Sequence, residues 1–437
     1  MSETTNIFAV TGNPVLHSKS PLLFNRSFQG NKEKAVYTRI LAESASEAIS
    51  LFKDIDLSGM NVTSPFKQTI LQKLDKTGPA AAAIGAVNTV VKDGGLLKGF
   101  NTDHVGVTSS LKGLGLRLQE RNCLVLGAGG AGRAAAYGLI QEGANVSLAN
   151  RTFDKAVQAA KTIGCQAVTL DDLRSLLNKT EIVVSALSPR INPIQKEWLR
   201  PSHVVLDANY PHSPLSTMAQ TQDCTVIRGE EWLLNQAIPV YKLFTGREAD
   251  RKSMEDALSS DFKSKSICEN ISLIGFMGCG KTTVGQILAK KLGYSFKDID
   301  TVIEEREGKT VSEIFRLKGE QDFRALEKSV LSEIQQEKNN VYACGGGIVL
   351  DPDNRDTLSR NSLVIWLYVS LESCLQRIDR SSRPLLDTED RGEKPEVLFQ
   401  TRIPHYARAA DLVVMSKRNP EKTAENIYEE IHQTLAD

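Results

Sequence analysis

Lys281 and Thr282 close the run Gly275-Phe276-Met277-Gly278-Cys279-Gly280-Lys281-Thr282, which fits G-x-x-x-x-G-K-T without a mismatch. An apolar run, Ile271 to Ile274, leads into it, and a helical pattern from Val284 to Leu292 follows. That context is the one a phosphate loop requires: glycines let successive backbone N–H groups turn toward one anion, and the helix N-terminus adds partial positive charge. Lys281 would reach the β- and γ-phosphates of a nucleoside triphosphate, Thr282 would ligate Mg²⁺, and Gly278, Cys279, Gly280 and Thr283 would line the cradle. Cys279 could be accessible within this loop, though nothing marks it as a nucleophile. Downstream, Asp298 and Asp300 fall on the same side of a strand end. Phosphoryl transfer needs an acid near the metal and a group that orients the accepting hydroxyl. Arg324 and Glu327 are spaced i, i+3, by default a helical ion pair. Gly345-Gly346-Gly347 ends a strand and lets a ligand lie against backbone. Arg377 to Lys394 is charged, includes Arg383-Pro384-Leu385-Leu386, and suits a mobile lid; Arg402 precedes Pro404 and Tyr406.

A second glycine-rich run lies far upstream. Gly127-Ala128-Gly129-Gly130-Ala131-Gly132 carries G-x-G-x-x-G between the strand-like Cys123 to Leu126 and the apolar helix Ala135 to Leu139. A further strand, Asn145 to Ala149, ends in Asn150-Arg151-Thr152. A domain built for NAD carries an acid there for the ribose hydroxyl; a guanidinium suits a 2′-phosphate, because it offers a planar fork of donors. NADP(H) is therefore expected, with Arg151 as the main determinant. Before this motif come four polar loops, each at the end of an apolar segment: Ser18 and Ser20; Asn61, Thr63 and Lys67; Asn88; and Asp103. In open α/β sheets, strand ends are where ligands bind.

The elements that must position these groups alternate strand and helix, so the fold class is α/β throughout. At 437 residues, two or three domains are expected. The chain is 41% hydrophobic and 24% charged, with 53 basic residues against 53 acidic ones. A net charge of zero gives no global field for nucleic acid or an acidic membrane, so anionic substrates must be held by local clusters. No apolar run reaches the roughly 18 residues of a transmembrane helix. The first ten residues carry an acid and no basic region, unlike a signal peptide. Seven dispersed cysteines without a C-x-x-C pair read as reduced thiols of the cytosol. Arg247 to Ser266 is polar, charged and poor in aromatics, with Met254 and Leu258 hinting at a short helix, and reads as a junction.

The set H-S-x-S-P, N-V-T-x-P-x-K, G-A-x-N-T and G-x-N-T-D, as it stands at residues 17–21, 61–67, 85–89 and 99–103, resembles shikimate dehydrogenase. The resemblance implies that Ser18 and Ser20 bind the substrate carboxylate, that Thr63, Asn88 and Asp103 bind ring hydroxyls, and that Lys67 and Asp103 form the catalytic pair. Asn150-Arg151-Thr152 also matches that family, and Gly229 to Gln236 is similar to its G-x-x-M-L-x-x-Q, with Trp232 for Met. Gln236 would then return from the nucleotide domain to touch substrate, as would Tyr210, while Gly229 would line the NADP site. Phe24 and His104 depart from the pattern, His104 reading as a peripheral loop residue. The largest departure is Ser185-Ala186-Leu187-Ser188 at the nicotinamide side. The C-terminal part resembles shikimate kinase in G-F-M-G-x-G-K-T, D-x-D, F-R-x-x-E, G-G-G, R-P-L-L and R-x-P-x-Y. By that likeness Asp300 holds the accepting hydroxyl and Asp298 acts through a water on the metal. Arg324, Gly346 and Arg402 hold shikimate, Arg383 bridges the phosphates, and Arg418 flanks adenine.

The expected organisation is an α/β substrate domain at 1–105 completed by a helix at 235–247, a Rossmann NADP-binding domain at 106–234, a linker at 248–268, and a P-loop kinase domain with a parallel sheet at 269–437. The expected function is reduction of 3-dehydroshikimate to shikimate with NADPH, then phosphorylation of shikimate with MgATP, in the cytoplasm and without nucleic acid, membrane or an obligate protein partner. Two alternatives stay open: an NAD-linked quinate/shikimate oxidoreductase fused to the kinase, and a non-catalytic dehydrogenase-like half that regulates it.

Overall fold

Short runs of valine, isoleucine and leucine set the architecture. Leu363–Tyr368 is buried at all six positions and Ile182–Ser185 at all four, the mark of strands covered on both faces. In the computed structural model the described residues are 5–188, 190–210, 213–259, 269–377 and 395–436. They divide into two compact units, the first comprising the described residues up to 21, those at 34–57 and those from 269 onward, the second those at 22–33 and from 58 to 259.

In the second unit a six-stranded parallel sheet runs Thr225–Ile227, Val204–Asp207, Ile182–Ser185, Asn122–Leu126, Asn145–Ala149, Gln166–Val168. Numbered within the sheet from its far edge, this is the order 3-2-1-4-5-6 of a doubly wound dinucleotide fold, with the strand before Gly127 at the switch point. Its two faces are covered by helices, Gly130–Gln141 among them, through a core that includes Val125, Leu139, Leu148 and Val184. Gly59–Val62, Thr89–Asp93, Leu96–Phe100 and Lys76–Thr77 form a smaller mixed sheet. Thr89–Asp93 and Leu96–Phe100 are a hairpin turned by Gly94 and Gly95, both at positive φ (59° and 82°), as a tight two-residue hairpin turn demands. The helix Gly229–Thr245 packs on Asp103–Lys112 through Trp232, whose ring would sit 2.5 Å from any Cβ added at Gly106. Residues expected as junction include the helix Arg251–Ser259, held in this unit by buried Met254 and Ala257.

In the first unit the strands Ser295–Asp298, Asn340–Ala343, Asn270–Ile274, Leu363–Tyr368 and Leu412–Met415 lie side by side and parallel, with Asn270–Ile274 central. The sheet then continues beyond Leu412–Met415. Val413 and Val414 pair with Ile40 and Leu41 of the strand Ala35–Leu41, which pairs in turn with Asn6–Gly12. A sheet edge presents unpaired N–H and C=O groups, and here Ala35–Leu41 covers the one that Leu412–Met415 would otherwise expose. The long helix Val311–Ile334 starts with a reciprocal capping box between Thr310 and Glu313 and breaks at Gly319 (φ 84°), so its second part runs in its own direction.

Candidate functional site

In the second unit the site grows from the hairpin strand that Asn88 precedes. Its amide nitrogen lies 2.9 Å from Thr102 Oγ1, 2.9 Å from Asp103 Oδ1 and 3.2 Å from Gln236 Oε1. Its carbonyl accepts from the Thr102 N–H and the Thr89 hydroxyl, both at 2.9 Å. One buried side chain therefore ties the hairpin strand Thr89–Asp93, the start of the helix Asp103–Lys112 and the helix Gly229–Thr245 together. Asp103 opens the helix Asp103–Lys112, where the helix dipole favours a carboxylate. Its Oδ2 accepts from Lys67 Nζ at 2.6 Å; Asp103 is 2% exposed and Lys67 16%, so one end of the pair reaches open space. Trp232 Nε1 donates to the Asp103 carbonyl at 3.0 Å. Trp232, which stands in the place of methionine, thus anchors the aspartate through its indole N–H, a partnership with no local signal in the sequence. Thr63 is half-buried just beyond Gly59–Val62, and Tyr210 half-buried beyond Val204–Asp207.

The glycine-rich turn meets this pair directly. A Cβ at Gly130 would lie 2.8 Å from Lys67 Cβ, so the N-terminus of Gly130–Gln141 abuts the lysine stem. A Cβ at Gly132 would lie 1.8 Å from the Gly127 carbonyl oxygen, which only glycine permits, whereas one at Gly129 would meet nothing within 4 Å, leaving backbone open to a ligand. Asn150 Oδ1 accepts from the Ala128 N–H at 3.2 Å and ties the turn to the neighbouring strand. Arg151 and Thr152 are exposed at the start of Phe153–Ile163, where a 2′-phosphate would be met, and Ala131 is half-buried in the first turn after the glycines. Gly229 starts its helix against the carbonyls of Asp207, Ala208 and Asn209, 2.6 to 2.9 Å from where a Cβ would stand. The departure at Ser185 to Ser188 closes on the same turn: Ala186 N donates to Leu126 O at 2.9 Å, and Asn209 Nδ2 to Leu187 O at 3.0 Å. His104, expected on a peripheral loop, instead sits in the helix Asp103–Lys112, half-buried against Tyr137, and burial holds its imidazole below the usual range.

Ser18 and Ser20 belong to the first unit. Both are buried, with their hydroxyls 3.2 Å apart, at the start of the helix Ser20–Gly30.

The other site lies wholly within the first unit. Gly275, Gly278 and Gly280 take positive φ (143°, 78°, 95°) between the central strand and the helix Lys281–Leu292. No side chain caps that helix, so its first N–H groups face the loop. Lys281 Nζ folds back onto the Gly275 and Phe276 carbonyls at 3.0 and 3.1 Å. Thr282 Oγ1 donates to Asp298 Oδ2 at 2.8 Å, while Asp298 Oδ1 caps the Asp300 N–H at 3.1 Å. A hydroxyl and a carboxylate side by side are the hard oxygen donors that suit Mg²⁺. Thr283 is exposed in the same first turn, and Arg418 is exposed just before the helix Pro420–Ala436. Cys279, expected to be accessible, is 0% exposed and packs inward beneath the loop. Arg383 lies outside the described residues.

Beside this loop opens a cleft lined by Met277, Asp300, Arg324, Glu327, Gly346 and Arg402 among others. The three glycines leave space that side chains would fill. A Cβ at Gly347 would stand 2.3 Å from the Arg324 guanidinium, one at Gly346 3.3 Å from that of Arg402, and one at Gly345 3.1 Å from an Asp300 oxygen. Arg402 is 2% exposed and its Nε has no partner among the described residues, a buried donor without an acceptor, as an anion site would leave it. Tyr406 donates its hydroxyl to the Gly346 carbonyl at 2.5 Å and stiffens the glycine run. Arg324 pairs with Glu327 at 2.8 Å and Glu320 at 3.0 Å, so the helical ion pair forms and the guanidinium still faces the cleft. Glu327 is 0% exposed; burial, opposed by Arg324, pushes its carboxyl up to about 7. The sequence motif contained Glu327 but assigned it no role.

Three family models match this chain: "Shikimate dehydrogenase substrate binding domain" over residues 10–90, "Shikimate / quinate 5-dehydrogenase" over 110–212, and "Shikimate kinase" over 277–435. A relative from Aquifex aeolicus, "Shikimate dehydrogenase (NADP(+))", is 36% identical over 251 residues, 56% of this chain and 93% of its own length. The Arabidopsis thaliana "Bifunctional 3-dehydroquinate dehydratase/shikimate dehydrogenase, chloroplastic" is 33% identical over 273 residues; the match spans 57% of this chain and 45% of that relative, less than half its length. Among solved structures, the Aquifex aeolicus shikimate dehydrogenase aligns with TM-score 0.56 at 33% identity, over 60% of this chain and all of its own. That from Thermus thermophilus, "in complex with NADP(H) and shikimate", aligns with TM-score 0.53 at 32% identity, over 58% of this chain and 98% of its own. With a lysine–aspartate pair set against a glycine-rich turn and a relative matched over 93% of its own length, the chain belongs to the shikimate dehydrogenase family and carries a shikimate kinase domain C-terminal to it.

Proposed function

We propose that the chain reduces 3-dehydroshikimate to shikimate with NADPH and then phosphorylates shikimate with MgATP. The observation that carries the reading is the Lys67–Asp103 pair at 2.6 Å with the glycine turn against the lysine stem. NADPH, when bound at Gly127–Gly132 with Arg151 at its 2′-phosphate, supplies the hydride. As negative charge builds on the carbonyl oxygen, the Lys67 ammonium donates a proton to it, and Asp103 orients that ammonium and stabilises its charge. Asn88 and Gln236, bonded to each other, present polar atoms for ring hydroxyls, with Thr63 and Tyr210 at the neighbouring strand ends. Ser18 and Ser20 take the carboxylate.

In the second reaction Asp300 holds the accepting hydroxyl and Arg324, Gly346 and Arg402 hold the carboxylate of shikimate, in keeping with the unpartnered Arg402 Nε. Thr282 and Asp298 hold Mg²⁺, which supplies charge neutralisation when bound, Asp298 through a water. Lys281 leaves the carbonyls it now touches for the phosphates. The division into substrate domain 1–105, nucleotide domain 106–234, linker 248–268 and kinase 269–437 accompanies this reading, as does a cytosolic setting for the six free thiols among the described residues. No helix among those residues is long and apolar enough to cross a membrane. The test is a coupled assay started from 3-dehydroshikimate with NADPH and ATP. Shikimate 3-phosphate is the expected product, formed far faster with NADPH than with NADH. NADPH left unoxidised, or equal rates with NADH, would overturn the dehydrogenase half of the proposal.

A further inference from the structure

Residues 13–18 lead to the two serines and are held by a group from the far end of the chain. Glu430, on the helix Pro420–Ala436 within the kinase match, extends one carboxylate oxygen to two successive backbone N–H groups, Val15 at 2.7 Å and Leu16 at 2.5 Å. Val15 O in turn accepts from the Ser18 N–H at 3.0 Å. On the other side of the same loop, Arg39 places Nε and one terminal nitrogen on the Ser18 carbonyl, at 3.0 and 2.7 Å, and its other terminal nitrogen on the Asp411 carbonyl at 3.3 Å. The Ser18 hydroxyl lies 3.3 Å from Ser20 N and 3.2 Å from Ser20 Oγ. The loop is therefore clamped between a carboxylate from one kinase helix and an arginine braced on the Asp411 carbonyl, just before the strand Leu412–Met415. All of these residues lie in one compact unit.

This clamp is not explained by packing alone. Glu430 is 2% exposed, and its second oxygen has no hydrogen-bond partner among the described residues. Keeping a half-satisfied carboxylate buried costs free energy that an apolar side chain would not. What the carboxylate does there is point two adjacent N–H groups toward one atom, which fixes the peptide orientation two residues before Ser18.

We infer that Glu430 is a positioning residue for the dehydrogenase reaction, holding the Ser18–Ser20 loop in the conformation that receives the substrate carboxylate. The inference rests on the proposed role of those serines. A group within the kinase match thereby sets substrate affinity at the reductase, and the fusion gains a function beyond tethering.

The experiment uses the full chain with four variants, E430A, E430Q, R39M and S18A. Reductase KM for 3-dehydroshikimate, reductase kcat, KM for NADPH and kinase activity are measured on each preparation. E430A should raise the 3-dehydroshikimate KM on the order of tenfold, the worth of one charge-assisted hydrogen bond, with kcat and the NADPH KM within twofold of the parent. E430Q retains an acceptor oxygen and should recover most of that loss. R39M, which frees the Ser18 carbonyl from the opposite side, should raise the same KM and carries the test if E430A does not fold. An unchanged KM in E430A, or in R39M where E430A fails to fold, overturns the inference. So does a loss shared equally by all four measurements, which assigns the clamp to stability alone. If S18A itself leaves the KM unchanged, the serines do not bind the carboxylate and the underlying reading fails, whatever Glu430 does.

Discussion

Replacing Lys67 with methionine separates chemistry from stability, because the side chain keeps its apolar stem against Gly130 and loses only the ammonium. Asp103, 2% exposed, then retains the Asn88 amide at 2.9 Å on one oxygen and loses its 2.6 Å partner on the other. Breaking a buried ion pair by removing one partner costs about 3–5 kcal/mol, and since Lys67 is 16% exposed the lower end applies, about 3 kcal/mol. Loss of a positioned general acid lowers turnover by about 10²–10⁴-fold. The two effects diverge in the double variant K67M/D103N. Neutralising Asp103 removes the orphaned charge, so stability returns toward the parent, whereas turnover stays depressed. The assay is NADPH oxidation with 3-dehydroshikimate, alongside thermal unfolding and kinase activity on the same preparation. Kinase activity, carried by residues of the other unit, should persist. Reductase turnover within tenfold of the parent in K67M would refute the assignment of Lys67 as proton donor. A turnover that recovers with stability in the double variant would show that the pair is structural.

The converse substitution, Lys281→Met, should abolish phosphorylation and leave NADPH oxidation unchanged; any loss of reductase rate beyond twofold would contradict it. Glu327 yields a pH-dependent prediction. Its folded carboxyl lies at about 7 against 4.5 when exposed, so between those values the folded state holds a proton that the unfolded chain has released. The stability contributed there falls as pH rises through this window, on the order of 3 kcal/mol in all, and no further above it. Denaturation of the kinase-bearing unit across that range should show the slope in the parent and a flatter one in Glu327→Gln; equal slopes would refute the buried titration.

Much of the fold was legible because its signals are local. The strand before Gly127, the turn and the helix after it are contiguous, and a Gly132 Cβ at 1.8 Å from the Gly127 oxygen shows why the spacing admits nothing but glycine. The same holds for Gly275 to Thr282. Pairing of Leu412–Met415 with Ala35–Leu41 joins segments more than 370 residues apart, and both read as ordinary apolar strands. Either could have been an edge or an interior strand, and composition does not distinguish those cases when both faces are buried.

The candidate sites divide along the same line. Lys67, Asn88, Asp103, Lys281 and Asp298 sit in turns or at the ends of strands and helices, within short polar motifs whose residue types and spacing point to a ligand. Trp232, Glu327 and Glu430 are different: each is a residue that helices hold routinely, and each acquires meaning from a partner distant in sequence or from burial that sequence does not report. Glu430 occupies one of many acidic positions in a helix where its neighbour Glu429 is at least partly exposed, and only the fold decides which of two adjacent glutamates turns inward. A buried carboxylate with one satisfied oxygen is costly enough that its position carries information, whereas an exposed one carries almost none. Reading function upward from sequence therefore recovers groups that face a ligand and misses those that aim them, because the first are conspicuous by residue type and the second only by where the chain places them.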